Sequence, residues 1–434
     1  MISESNHIEV VAHDVALHDE VGFDLKHLVQ RRCHHGHVRR DLEGRRLERP
    51  SAAQIAKPSW HSVESPCWSW VAVMRGRMSP SPRSPPPLVV PARIAGRGRQ
   101  GRGRDRRRSA AKQGDRGRQD VLVRVRFLDE QATYAAATVS ECADALEEAL
   151  RAGLPGEPDP ARIFVDLPPG EMLLMPSRVT GTPTVKLVTI HHDADRPDPR
   201  IKGVHVVFDS VSLAPTVVMD AAALTVVRTT AVSIVALRAI AKPDCHTLVV
   251  YGAGPQARAH VDAIIAEWPI RHVNIVARRP ERAEALLASA RERHPDIVID
   301  LVRTDNAASA LREARIVVCA TTATSALFSA ADARGDVAAV AVGTHSPTCC
   351  ELPSELVGRS FVVVEERESA LREAGDVVCA ITAGLMTPDD IAADLTEIAR
   401  RSVDIPATGS RVFKSMGMAW EDAVVSARIA EGVA

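Results

Sequence analysis

Several residue patterns that would commit a chain to a large class of protein are missing here. The eight cysteines are scattered over 434 residues, and only Cys349 and Cys350 stand together. No CxxC pair meets a matching cysteine or histidine cluster, so no metal site is expected, and the density is too low for a disulfide scaffold. That usage fits a reducing, cytoplasmic setting. No run of about 18 or more apolar residues occurs, so no membrane span is expected. The opening stretch MISESNHIEVVAHD is acidic and interrupted by polar residues, unlike a signal peptide. Lysine is scarce as well. Beyond residue 121 it occurs only as Lys186, Lys202, Lys242 and Lys414, so each one calls for an explanation.

The net charge of -1 conceals two unlike regions. Residues 1–120 carry 23 Lys and Arg against 13 carboxylates, and the remainder carries 31 against 42. Between 27 and 120 no structural period is visible. The Pro and Ser cluster at 79–87 excludes helix, and the Gly-Arg stretch after it has too little apolar surface to offset its chain entropy. An Arg-Gly arm can neutralise phosphate and stack on bases, but nucleic acid is not the expected partner. Residues 1–121 are expected to lie outside the fold. They read as a basic, low-complexity extension that is disordered or is upstream sequence attached by a start codon placed too early, with the folded protein beginning near Val121–Val125.

From residue 122 the texture changes. VRFLDEQ reads as a short strand entering a helix, and TVSECADALEEALRAG places Val139, Ala143, Leu146 and Leu150 at helical spacing before Gly153 as a C-cap. Pro168-Pro169-Gly170 turns between two apolar strands. TVKLVTI, GVHVVFDS and APTVVMD are further strands, followed by a helix over 221–241. Residues 122–243 thus form the first part of an α+β domain. From 244 to 364 short apolar runs alternate with helices, the pattern of a mostly parallel sheet covered on both faces. Residues 365–434, including PDDIAADLTEIARR and AWEDAVVSARIAEG, read as a helical return that completes the first domain. The fold class is α/β, a Rossmann-type dinucleotide-binding domain inserted in an α+β domain.

The strand HTLVVY runs directly into Gly252-Ala253-Gly254-Pro255-Gln256-Ala257 and then a helix. A GxGxxA in that setting is a strong dinucleotide signal. Gly252 permits the tight turn and Gly254 the approach of a pyrophosphate. Ala257 is the small residue where helix meets strand, and Pro255 and Gln256 open a helix whose first N–H groups face the phosphates. The second strand, VNIVA, ends in Arg278 and Arg279 with no carboxylate before Glu281. Two guanidinium groups suit a 2′-phosphate, so NADP(H) is expected in preference to NAD(H). Three cations stand out elsewhere. Lys186 sits in an apolar strand and Arg228 in an apolar helix, where an unpartnered charge is costly; Arg162 opens PARIFVDL. Together with a nicotinamide they imply a small anionic amino or imino acid as substrate.

The stretches LLMPSRVTGTPTVKLVTI, ALTVVRTTAVSIVAL, GAGPQARAH, AVGTHSPTCCEL and VFKSMGMAWEDAVVSARIA, in this order, resemble the ornithine cyclodeaminase / mu-crystallin family over about residues 122–434. The resemblance implies a substrate and dimerisation domain built from both flanks of the nucleotide domain, and a homodimer. It implies that Arg162 and Arg228 bind the substrate carboxylate, that Lys186 is the active-site lysine, and that Thr229 helps hold the cofactor. In cyclodeaminases of the family the loop after the late strand reads roughly GGDxPGKTEL, with a catalytic aspartate. Here GTHSPTCCEL puts His345 in that place and Cys349 in the lysine's. Histidine carries protons near neutral pH but lacks the negative charge for a distal ammonium, which favours hydride chemistry over cyclisation. The expected function is an NADP-dependent reductase or dehydrogenase of a small α-imino or α-amino acid, with Lys186 and His345 as proton-handling residues. The alternatives are a cyclodeaminase-type ammonia-lyase with bound NAD and a crystallin-like NADPH-binding protein with little turnover.

Overall fold

A computed structural model describes residues 125–433 apart from 155, 157–158 and 194–198. The expectations for the basic head, residues 1–121, lie outside the described residues. The described chain opens with β1 (Arg126–Leu128), α1 (Glu130–Ala135) and α2 (Val139–Ala152). Helix α2 starts on a capping box, in which Thr138 Oγ1 accepts from the Glu141 amide and the Glu141 carboxylate accepts from the Thr138 amide. It ends on Gly153 at φ 104°, a left-handed conformation suited to glycine, and buries Ala143, Leu146 and Leu150.

Five strands follow: β2 (Ile163–Leu167), β3 (Gly170–Ser177), β4 (Thr184–His191), β5 (Ile201–Phe208) and β6 (Pro215–Asp220). Each pairs antiparallel with the next, and β1 closes the far edge parallel to β6. The period of two sends Met175, Lys186, His205 and Met219 to one face, cross-strand neighbours in a single row. Helix α3 (Ala221–Ile240) is N-capped by Asp220, whose carboxylate accepts from the Ala223 amide at 2.8 Å. By length and composition α3 could cross a membrane, but it is buried as a core helix here.

The second sheet is built from β7 (Thr247–Tyr251), α4 (Pro255–Glu267), β8 (His272–Val276), α5 (Pro280–Arg293), β9 (Val298–Val302), α6 (Ala307–Glu313), β10 (Ile316–Cys319), β11 (Ala338–Ala341), α7 (Ser354–Gly358) and β12 (Phe361–Val364). The chain continues through α8 (Arg367–Glu373), α9 (Gly375–Thr382), β13 (Ile391–Asp394), α10 (Leu395–Ala399), β14 (Arg411–Lys414) and α11 (Ala419–Gly432). The strand order is β13-β12-β14-β11-β10-β7-β8-β9, with every pair parallel. Winding reverses at β7, which leaves a crevice between the carboxyl ends of β7 and β10, where ligands bind in open α/β sheets.

The return segment corrects the expectation that 365–434 is helical. Ile391–Asp394, inside PDDIAADLTEIARR, is a strand beside β12, and Arg411–Lys414 inserts between β12 and β11. The parallel sheet therefore extends beyond residue 364, as far as Lys414. The reason is local and short-ranged: a four-residue buried strand has no period of its own, and the helical spacing around it belongs to α10. Helix α11 does return, packing on α2 and α3 and on the six-stranded sheet. One apolar core joins α2, α3, α4 and α11 to the inner face of the parallel sheet, and a second fills its opposite face.

Candidate active site

The buried strand β7 delivers Gly252 to the crevice at φ 122°. A Cβ at that position would stand 2.4 Å from the carbonyl oxygen of Ala320, just beyond β10, so the close approach of the two strand ends requires glycine. Gly254 is the N-cap of α4 and Pro255 its first residue. Nothing lies within 4 Å of where a Gly254 Cβ would be, which leaves the outer side of the turn open over the start of α4. Ala257 is fully buried behind the turn. This cradle fits a pyrophosphate, because the first N–H groups of a helix lack partners within it. The Gln256 side chain points away from that role. Its amide donates to the Thr225 carbonyl at 3.2 Å, tying the turn to α3.

At the end of β8, Ala277 is buried, Arg278 is exposed, and Arg279 is the N-cap residue of α5. A cavity of about 280 Å³ opens here, lined by Ala277, Arg278, Pro280, Arg303, Thr304 and Asp305. Arg303 follows β9, the parallel neighbour of β8, so adjacent strand ends bring Arg278 and Arg303 to one cavity. Arg303 is not among the residues that the sequence singled out. Its signal is a cation immediately after the third strand of the domain.

Deeper in, Lys186 and Arg228 have partners that the sequence left unnamed. Lys186 Nζ lies 2.7 Å from Asp422 Oδ2, with both side chains buried. Arg228 Nη1 donates to Glu421 Oε2 at 2.8 Å, and its Nε is 3.3 Å from Asp422 Oδ1. The strand row places Lys186, α3 places Arg228, and the first turn of α11 lies across both. Two adjacent acids in the otherwise apolar AWEDAVV are the available signal. Burial pulls Lys186 down to about 8, opposed by the charge of Asp422 and reinforced by Arg228. Burial alone would raise Asp422, but Lys186, Arg228 and His205 together hold it below the ordinary carboxylate value. Glu421 is pushed well up by burial and by neighbouring Glu365. His205, on the same row as Lys186, is lowered to about 4 by burial, and its Nε2 lies 3.0 Å from Ser426 Oγ.

A second, more open tier sits above this one. Arg162 pairs with Glu373 at 3.0 Å and donates to the Gly417 carbonyl at 3.2 Å. Gly417, at φ 81°, lies so close to Arg228 that an added Cβ would stand 2.4 Å from its guanidinium. Glu365 fixes this turn by accepting from Ser415 Oγ and from the Met416 and Gly417 amides at 2.6–3.1 Å. His345 is exposed on the loop after β11. The protein mass around it, and then Arg162, lower its pKa from the usual imidazole value. Thr229 is buried on α3 beside Arg228, and its carbonyl accepts from Ser233. Glu351 accepts from Thr321 and from the Gly343 amide. The structure thus brings Arg228 and Arg162 to one glycine turn, with Lys186 joined to Arg228 through Asp422 and His345 near Arg162. Among the described residues no three His, Cys, Asp or Glu side chains form a metal-binding group.

The model of the ornithine cyclodeaminase/mu-crystallin family matches residues 125–434. The chain belongs to this family. It is 34% identical over 263 residues to a Delta(1)-pyrroline-2-carboxylate reductase of Bacillus thuringiensis subsp. konkukian, an alignment spanning 58% of this chain and 79% of the relative. It is 29% identical over 244 residues to the ketimine reductase mu-crystallin of Rattus norvegicus, covering 56% and 74%. Among solved structures it resembles the Delta(1)-pyrroline-2-carboxylate reductase of Thermococcus litoralis, in complex with NADH and L-proline, with a TM-score of 0.67. That match has 25% identity and covers 71% of this chain and 97% of the other. The chain is an oxidoreductase of the family, and its cofactor is a nicotinamide dinucleotide.

Proposed function

We propose that this protein is an NADP(H)-dependent reductase or dehydrogenase of a small α-imino or α-amino acid, with cyclic ketimines such as pyrroline-2-carboxylate as the substrate class. The observation that carries the reading is the convergence of Arg162 and Arg228 on the Gly417 turn, with Lys186 joined to Arg228 through Asp422. Arg228 and Arg162 bind the carboxylate in this reading. Lys186, lowered to about 8, is still largely protonated near neutral pH and can donate to the imine nitrogen. His345 is the second proton carrier, at the open side. The Gly252–Ala257 turn and the start of α4 would hold a nicotinamide dinucleotide, which would supply hydride chemistry at the substrate α-carbon, while the protein supplies orientation and field. The catalytic aspartate of the family's cyclodeaminases is replaced by His345 here, which disfavours cyclodeamination of ornithine.

The cavity at the end of β8 supports NADP(H) over NAD(H), because two guanidiniums, Arg278 and Arg303, line it against one carboxylate, Asp305, which lies 3.9 Å from Arg303. A homodimer is supported by the outer face of the six-stranded sheet. An antiparallel sheet with one solvated face alternates apolar and polar residues. Here the outward rows Leu174–Leu187–Val204 and Val185–Val206–Val218 are apolar and only half-buried, and Ile163, Phe164 and Val165 of the edge strand are exposed. The free thiols, including half-buried Cys349, Cys350 and Cys379, support a cytoplasmic location. Initial rates with NADPH and NADH on pyrroline-2-carboxylate test the function, alongside ammonia release from ornithine. Ketimine reduction favouring NADPH is expected. Ammonia release without net change in the coenzyme would replace the reading with cyclodeamination.

A further inference from the structure

Lys414 is the last residue of β14, the strand that the return segment inserts into the parallel sheet, and it is fully buried. Its ammonium donates to the Thr344 carbonyl at 2.7 Å and to Thr344 Oγ1 at 3.1 Å, and lies 2.9 Å from Asp376 Oδ2 as an ion pair. Its full burial keeps it from the substrate. Asp376 in turn accepts from the amides of Glu351 and Leu352 at 2.7 Å each through its other oxygen. Glu351 then closes the loop on itself, reaching Gly343 at its start and Thr321 beyond β10. Both ends of the loop over 343–352 are therefore clamped to one buried ammonium, and the residue gripped directly is the one before His345.

The other side of Lys414 matters equally. The next three residues, Ser415, Met416 and Gly417, form the turn that Glu365 holds and that touches Arg162 and Arg228. One strand end thus sets two things at once, the place of the arginine-lined turn and the place of the loop carrying His345. A buried ion pair is a costly way to gain stability alone, whereas an ammonium that also donates twice to Thr344 fixes direction as well as distance.

We propose that Lys414 and Asp376 are positioning residues, setting His345 relative to the Arg162–Arg228 anion site without touching substrate or cofactor. The inference rests on the reading above in which His345 handles a proton. Lys414→Gln in the full chain is expected to lower kcat on pyrroline-2-carboxylate roughly ten- to a hundredfold, the upper figure being that of a misplacement of about 1 Å. KM for NADPH should stay near the wild-type value. The charged groups that set the His345 titration are Arg162, Glu171, Lys414 and Glu373. Losing the Lys414 charge should therefore raise the limb of the kcat/KM profile that His345 sets; because burial is the larger cause of its lowered value, the shift counts for the proposal only where the melting temperature is unchanged. Should Lys414→Gln fail to fold, the neutral pair Asp376→Asn with Lys414→Gln keeps hydrogen-bonding groups at both positions and serves instead.

The decisive comparison is a double-mutant cycle with His345→Ala. If the lysine acts through the histidine, Lys414→Gln should cost little further turnover in the His345→Ala background. An equal loss in both backgrounds, with His345→Ala itself impaired, overturns the positioning role and leaves the reading of the site standing. Full turnover in His345→Ala removes His345 from the chemistry, and this inference falls with it.

Discussion

Replacing Lys186 with methionine separates a chemical role from a structural one, because the two predict different losses. Methionine keeps most of the apolar stem and removes only the nitrogen 2.7 Å from Asp422. Breaking a buried ion pair typically costs about 3–5 kcal/mol. Two features of this site lower that figure. Arg228 Nε remains 3.3 Å from Asp422, and removing the lysine relieves the burial that lowers its own pKa to about 8. About 3 kcal/mol is therefore the ceiling, or roughly 6–12 °C in Tm for a domain of this size. If the nitrogen donates to the substrate in the transition state, turnover should fall by ~10²–10⁴-fold while NADPH binding stays nearly intact.

The pH dependence of stability gives an independent check on the same variant. The folded pKa of Lys186, about 8, lies below the ordinary value of 10.5. Between those values the unfolded chain keeps a proton that the native protein has released, so the penalty is full below pH 8 and is relieved as pH rises toward 10.5. Wild type should gain stability relative to Lys186→Met across that window. The assays are melting temperature with and without NADPH at several pH values, and steady-state rates on pyrroline-2-carboxylate. A folded, cofactor-binding variant with near-normal turnover would refute the chemical role and leave His345 as the proton carrier.

Arg278→Ala and Arg303→Ala should each raise KM for NADPH roughly tenfold, the worth of one hydrogen bond to a charged group, and leave KM for NADH unchanged. A parallel change for both coenzymes would show that neither arginine reads the 2′-phosphate. Val206→Glu, in the centre of the outer apolar rows, should convert the expected dimer to monomer in light scattering at micromolar concentration. A dimer that persists unchanged would place the interface elsewhere. Acid should destabilise the fold through His205 and His260, both buried and lowered to about 4. Their folded values lie below the ordinary 6.5, so the stability they contribute is complete above pH 6.5 and is lost as pH falls to 4. The loss is on the order of 3 kcal/mol for each histidine, and His260→Gln should remove its share from a pH series of chemical denaturation.

Short-range features were legible in the sequence. The GxGxxA turn, the Gly153 C-cap of α2, the strands β3 to β6 and the apolar core helix depend on contacts between residues a few positions apart. Local dihedral preference and hydrophobic period write those directly. The cations Lys186 and Arg228 were legible too, because a charge in an apolar run has to be compensated. What compensates them was not. Asp422 and Glu421 lie in a helix far along the chain, and only the packing of α11 across the sheet brings them to Lys186 and Arg228. Arg303 reaches Arg278 because β8 and β9 are parallel neighbours. Strand β14 was missed because four buried residues carry no period, and its place between β12 and β11 is decided by strand order. The sequence on its own determined which residues needed partners, through the cost of burying charge. The tertiary structure alone decided which partners they have, because pairing across the sheets depends on a chain order in space that no local pattern contains.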